Sequence, residues 1–210
     1  MIHIKSLFAG ISVAALAVLT MLAFPAVAQA APSTLDNMQA AFNGESNAHV
    51  RYLAFAKRAE AEGYGQVASL FRAAARAEEI HASNHAEVIK KMGSVPQSKI
   101  DTPDVKSTRE NLQAAIKGET YERDVMYPDF LRKAKLDRNR DAVKSLNLAK
   151  TAEAEHAKLY SEALNTLEQL KGSKNEAFYV CPTCGFTART LPQKECPSCF
   201  TPKDKFEKVA

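Results

Sequence analysis

The amino-acid sequence predicts an all-α four-helix bundle with one long crossover, followed by a small module built on four cysteines. Three observations lead there. Residues from about 33 to 170 are rich in Ala, Leu, Glu and Lys, with the 9 prolines mostly outside those runs and only 8 glycines in the whole chain. Two tight breaks and one longer irregular stretch divide that region into four segments of nearly 30 residues. Beyond Phe178 the composition turns to Cys, Pro, Thr and Lys.

The elements follow in order. Residues 1–30 start with a basic Lys5, continue with an apolar run from Leu7 to about Phe24, and close on Ala28-Gln29-Ala30, which is the layout of a secretory signal. No twin arginine is present, so the Sec route is expected, with cleavage after Ala30 and a periplasmic or exported mature protein. An uncleaved membrane anchor is the alternative, because the apolar run is nearly long enough to span. Ser33 or Thr34 then caps a first helix that Gly63 ends, and a second runs from about Tyr64 to Met92 and stops at Gly93. Residues 94–106 carry two prolines and read as a connection. A third helix spans about Ser107 to Leu136, kinked at Pro128, and a fourth about Arg138 to Leu170. The expected domains are therefore 31–172 and 173–210, joined by the polar KGSKNE.

Each helix is roughly 40–45 Å long at 1.5 Å per residue. The 13-residue connection reaches roughly 43–47 Å when extended. It can run the length of the bundle, which permits a ferritin-like arrangement with one crossover. The net charge is +4, and loss of Lys5 with the signal leaves +3. The basic residues are spread among acids, so nucleic acid is not an expected partner. After signal cleavage no stable membrane contact is expected.

The two helical hairpins resemble each other. AAFNGESNAHVRY matches AAIKGETYERDVMY, and AEEIHA matches AEAEHA. Counting from the turns places the matched acids at one depth. Glu45 lies 18 residues before Gly63, with Glu78 and His81 15 and 18 after it; Glu119 and Glu122 lie 18 and 15 before Asp137, with Glu153 and His156 16 and 19 after it. That depth is roughly 22–27 Å from each turn. Residues three apart share a helix face, so each Glu-x-x-His aims both groups one way. Five buried glutamates without partners would be prohibitively costly, and a pair of cations removes the cost. Carboxylate oxygen with some imidazole nitrogen suits Fe or Mn. One Glu from each of two helices and Glu-x-x-His from each of two others is a di-iron carboxylate pattern, here with Glu122 added. Tyr52 and Tyr127 could face the site and bond its ligands or oxygen species, or serve as plain core tyrosines. His49 and His85 read as supporting or partly exposed histidines.

Cys181, Cys184, Cys196 and Cys199 form two Cys-x-x-Cys knuckles, with Gly185 relieving crowding after the first. Four thiolates in this spacing make a tetrahedral site for Fe or Zn rather than a pair of disulfides. The neighbouring iron-type bundle favours iron, which carries single electrons.

GESNAH, AEEIHASNH, GETYE, MYPDF, AEAEHAKLY, CPTCGF and CPSCFTPKDKFE together resemble the rubrerythrin family, over essentially everything after the signal. The resemblance implies a ferritin-like di-iron bundle and a rubredoxin-like domain holding one iron. It implies Glu45, Glu78, His81, Glu119, Glu122, Glu153 and His156 as di-iron ligands, with His81 and Glu122 exchanging on one iron as the redox state changes. It gives Tyr52 and Tyr127 the place of the family's site tyrosines. The implied activity is reduction of hydrogen peroxide to water, with electrons entering from an outside redox partner through the cysteine iron. A homodimer is implied too, with one subunit's cysteine iron near the other's di-iron site. The export signal is a departure, since many relatives are cytosolic. A ferroxidase, an iron-storage protein, and a zinc ribbon that binds a protein partner are the rival readings.

Overall fold

Ser33 opens the first helix. Its hydroxyl accepts from the Asp36 N–H while Asp36 bonds back to the Ser33 N–H, and this reciprocal cap starts α1 (Thr34–Ala61). The structure is a computed structural model that describes residues 31–210; the expected export segment, residues 1–30, lies outside the described residues. Gly63 ends α1 at φ 78° and Gly93 ends α2 (Gly65–Lys91) at φ 77°. Both are left-handed positions that cost glycine little. A second reciprocal cap, Ser107 with Glu110, starts α3 (Thr108–Tyr121). After α4 (Tyr127–Leu136), Asn139 caps α5 (Arg140–Asn165) by accepting from the Ala142 N–H. Among the described residues no helix is long and apolar enough to cross a membrane.

The third predicted helix is not one kinked rod. Residues Glu122–Met126 form a π turn, with the Tyr127 N–H bonded to the Glu122 carbonyl, and α4 starts after it. Pro128 has no N–H to give and its ring crowds the preceding turn, so the chain widens there. The wide turn sets residue five above Glu122, which turns Tyr127 fully into the core.

The crossover is strapped to α1. Gln39, Asn43 and Asn47, four apart on one stripe, bond the backbone of Val95, Gln97, Lys99 and Asp101. Glu62 then accepts from the Thr108 N–H where α3 begins. The connection therefore runs alongside α1 from one end of the bundle to the other, as its length allowed.

The fourth helix ends sooner than expected, at Asn165, followed by a 3-10 turn, Leu167–Leu170. The polar stretch after it is no free linker. Gly65 N–H donates to the Ser173 carbonyl, and a Cβ on Gly65 would lie 2.5 Å from that oxygen. Strands β1 (Phe178–Val180), β2 (Thr187–Ala188) and β3 (Glu207–Val209) make an antiparallel sheet in the order β2-β1-β3. Phe178 and Val180 pack into the bundle's core. Arg76 clamps Glu207 through two bonds of 2.7 and 2.9 Å, and Asn84 donates to the Thr183 carbonyl. Residues 32–210 are one compact unit, so the cysteine module is built onto the bundle.

A polar layer divides the helical core in two. One apolar cluster holds Ala48, Tyr52, Phe71 and Leu159; the other holds Ala41, Val88, Tyr127 and Ala149. Glu45, Glu78, His81, Glu153 and His156 fall between them along the helices and are buried to within 1%.

Candidate metal centre

Four helices supply the polar layer. Two groups of ligand atoms lie within 4.8 Å of one another: Glu45, Glu78, His81 and Glu153 in one, Glu78, Glu119, Glu153 and His156 in the other. Glu78 and Glu153 belong to both, as carboxylates between two metals must. His81 Nδ1 lies 2.8 Å from Glu78 and 3.0 Å from Glu153; His156 Nδ1 lies 2.9 Å from Glu153 and 3.3 Å from Glu78. Glu45 Oε2 and Glu119 Oε2 are buried without a hydrogen-bond partner, and the Glu78 oxygens, Glu153 Oε1 and His81 Nδ1 face only other groups of the cluster. Buried carboxylate oxygens turned toward common centres fit a pair of hard cations.

Glu122 stands apart. Of the seven expected ligands it alone is in neither group, and it alone is partly exposed. The π turn begins at this residue, so the helix that should have carried it inward beside Glu119 changes its winding there. It remains within the field of the site. Burial pushes its carboxyl up, and Glu45, Glu119 and Glu153 push it further.

The electrostatics are those of crowded acids. Burial first, then neighbouring carboxylates, raise Glu45 and hold Glu119 up to about 8. Burial would lower His81 and His156, but Glu153 and Glu78 outweigh it and hold both imidazoles above their ordinary range. Burial would raise Glu153, but the two histidines hold it below the usual carboxylate range.

The tyrosines are wall residues with a defined task. The Tyr52 hydroxyl donates to Glu119 and the Tyr127 hydroxyl to Glu45. Both are almost wholly buried, which pushes their hydroxyls up and keeps them as donors. His85 is fully buried, and burial holds it down to about 3, so it is neutral. Because Tyr127 donates to Glu45, its oxygen accepts from His85 Nε2 at 3.2 Å, and His85 Nδ1 accepts from the Ser145 hydroxyl at 2.8 Å. A directed chain from Ser145 thus ends on the Glu45 carboxylate. Ser145 carries no motif, so nothing in the sequence pointed to it. His49 is not part of the site and sits 2.7 Å from the Ala75 carbonyl. Tyr160, also missed, stacks edge-on against Tyr52 at 5.6 Å with its hydroxyl buried and unpartnered.

All four cysteines are free thiols and converge within 4.8 Å. Cys181–Cys199 and Cys184–Cys196 sulfurs are 3.5 Å apart. Metal–sulfur bonds of about 2.3 Å require edges of about 3.8 Å in a tetrahedron, so the set fits one metal after a small expansion. The site also touches the bundle. His81 Nε2 lies 3.0 Å from the Cys184 carbonyl, and His156 Nε2 lies 3.1 Å from the Thr187 hydroxyl. The resemblance implied a cysteine site facing the partner subunit's di-iron site. Within the single chain it rests on that chain's own bundle, with residues 172–176 tied to the α1–α2 turn and the start of α2.

The rubrerythrin family model matches residues 36–164, more than half of the chain. The chain belongs to the rubrerythrin family. Family relatives match beyond the bundle as well. Nigerythrin of Nitratidesulfovibrio vulgaris is 40% identical over 175 residues, 83% of this chain and 85% of the relative. Rubrerythrin-2 of Clostridium acetobutylicum is 38% identical over 176 residues, 83% of this chain and 95% of the relative. The solved structure of fully reduced nigerythrin superposes with a TM-score of 0.78 at 38% identity, covering 88% of this chain and 90% of that one. A bacterioferritin of Desulfovibrio desulfuricans, at 18% identity and a TM-score of 0.63, shares the fold. Membership places this chain among di-iron proteins of oxidative-stress defence, with a ferritin-like bundle and a rubredoxin-like four-cysteine site.

Proposed function

We propose that this family member is an exported peroxidase that reduces hydrogen peroxide to water. Iron is the proposed metal at both sites. Bound at the bundle, it supplies the two electrons that, with two protons, convert one peroxide to two waters. The observation that carries the reading is the contact between the two sites: the backbone carbonyl of Cys184, whose thiol would be a ligand, meets the distal nitrogen of His81, whose other nitrogen faces Glu78 and Glu153. A storage protein has no use for that junction.

The chain's own residues have separable tasks in this scheme. Glu78 and Glu153, which belong to both ligand groups, would help hold both metals. Tyr52 and Tyr127 steady Glu119 and Glu45 and keep those oxygens turned inward. Glu122, as the expected ligand with solvent access, is the natural point of proton entry and, as family resemblance suggests, of ligand exchange with His81. The apolar clusters on either side keep bulk water out. Cys199, less buried than the other three cysteines, is the side on which an outside redox protein delivers electrons. A homodimer is compatible with these roles, but electron delivery does not require one.

Stopped-flow reoxidation of the fully reduced protein tests the reading. Peroxide is expected to reoxidise it much faster than O2, and the colour of ferric thiolate appears as the cysteine iron follows the bundle. Faster reaction with O2 makes it a ferroxidase. Export is tested by sequencing the N-terminus of the protein recovered from the cell envelope, where Ala31 is the expected first residue.

A further inference from the structure

Gly185 and Phe200 hold equivalent places, each directly after the second cysteine of its knuckle. Both take left-handed backbone, at φ 74° and 62°. In the second knuckle a phenylalanine is accommodated there because its side chain points to solvent, 70% exposed. In the first, a Cβ would stand 2.3 Å from His81 Nε2 and 2.9 Å from its Cδ2. The turn alone therefore does not demand glycine; the approach to His81 does. Two residues on, the buried Thr187 hydroxyl donates to the Gly185 carbonyl and accepts from His156 Nε2. Pairing of Val180 with Thr187 fixes the register. One knuckle thus holds the outer nitrogen of both histidines at the paired site.

We propose that the first cysteine knuckle is a structural part of the bundle's metal site, so that metal held by the four cysteines tightens metal binding in the bundle. Each Nε2–H has one acceptor from the knuckle, which leaves each Nδ1 lone pair aimed among the carboxylates. Without metal, only weak thiol contacts join the two knuckles, the loop that carries Cys184, Gly185 and Thr187 loses its tether, and the imidazoles are freed to turn. Filling the cysteine site orders the loop, because the metal's binding energy is also folding energy. Linkage makes the effect mutual: metal in the bundle must tighten the cysteine site by the same factor. The inference rests on the bundle being a two-metal site, but not on which oxidant it reduces.

The test uses the full mature chain, stripped of metal. One equivalent of Cd(II), which prefers thiolates, is added or withheld. Mn(II) is then titrated into the bundle, with free Mn(II) read by electron paramagnetic resonance. Cd-loaded protein is expected to bind Mn(II) roughly 10–100-fold more tightly than Cd-free protein, the range that outer partners of metal ligands command. Thr187→Val, of the same shape without the hydroxyl, is expected to lose most of that gain, and Thr187→Ser to keep it. Equal Mn(II) affinity with and without Cd(II) overturns the inference, and so does an unchanged affinity in a Thr187→Val protein that still shows its Cd–thiolate absorption. If that variant fails to hold Cd(II), the comparison in the unsubstituted chain decides alone. Linkage without peroxide reactivity leaves this inference standing and removes the peroxidase reading; absence of Mn(II) binding in every form removes the two-metal site itself.

Discussion

The two metal sites of this chain are built by opposite means. In the bundle, ligands stand on helices whose positions are set by two apolar clusters, so the carboxylates are in place before any metal arrives and the cost is a layer of crowded acids with several oxygens left unpaired. In the cysteine module the ligands sit on two loops over strands of only two or three residues. There the metal is expected to hold the loops rather than the reverse. The difference teaches that a metal can be something a fold tolerates at one site and something a fold depends on a few ångströms away.

The largest effect expected from this contrast is on metal removal. Stripping the protein with a strong chelator should abolish hydrogen-exchange protection in residues 178–209 while α1 to α5 keep theirs. Uniform loss across the chain would mean that the bundle, too, is organised by its metals.

Glu78→Gln sharpens the same comparison from the other side. It removes a carboxylate shared by both positions, so metal affinity in the bundle should fall by more than the roughly 100-fold that outer partners cost. The metal-free variant should also melt lower than the metal-free parent, because His81 and His156 lose a buried carboxylate that holds them charged. A higher melting temperature would show that repulsion among the acids outweighs those pairs when the layer is empty.

The pH dependence of the metal-free protein follows from the same crowding. Glu119, held up to about 8, and the raised Glu45 and Glu122 bind more protons folded than unfolded; so do the raised His81 and His156. Stability is therefore full at about pH 5 and is lost as these groups give up protons toward about pH 8. Glu153, held low, acts only below that window, where its contribution is lost as pH falls. Melting temperature across this range should fall without metal and stay nearly level with it, and metal uptake should release protons measurable by pH-stat titration. A level curve for the metal-free form would refute the assignment.

The smallest effect belongs to the crossover. Asn47→Ala removes bonds to the Lys99 carbonyl and the Asp101 N–H and should cost about 1 kcal/mol per bond by denaturant melting, with no change in metal affinity.

The sequence carried the hairpins because its signals there are local. Ser33, Gly63, Gly93 and Ser107 act on their own turns, and the matched depth of Glu45, Glu78, Glu119 and Glu153 needs only helical rise and an antiparallel partner. The π turn was not legible, since Pro128 marks a disturbance but does not choose between a kink and a wider winding. Glu122, where that turn begins, lies outside both ligand groups, and the wide winding supplies the physical reason for Tyr127's inward turn. Ser145 and Thr187 lie in no motif, and Tyr160 closes AEAEHAKLY without standing out from it; their roles come from what packs opposite them. Gln39, Asn43 and Asn47 form a stripe that reads as ordinary polar surface until a strand of chain is laid across it.

By itself, then, the sequence determined the helices, the crossover's reach, the acids at one level and the four sulfurs, because propensity, capping and spacing act over a few residues. Only the tertiary structure decided that the cysteine module rests on its own bundle, that its knuckle holds both histidines, and that Glu122 stands at the water's edge. The contacts join segments 31 to 103 residues apart, set by shape and by which polar groups find partners, and no local pattern encodes them.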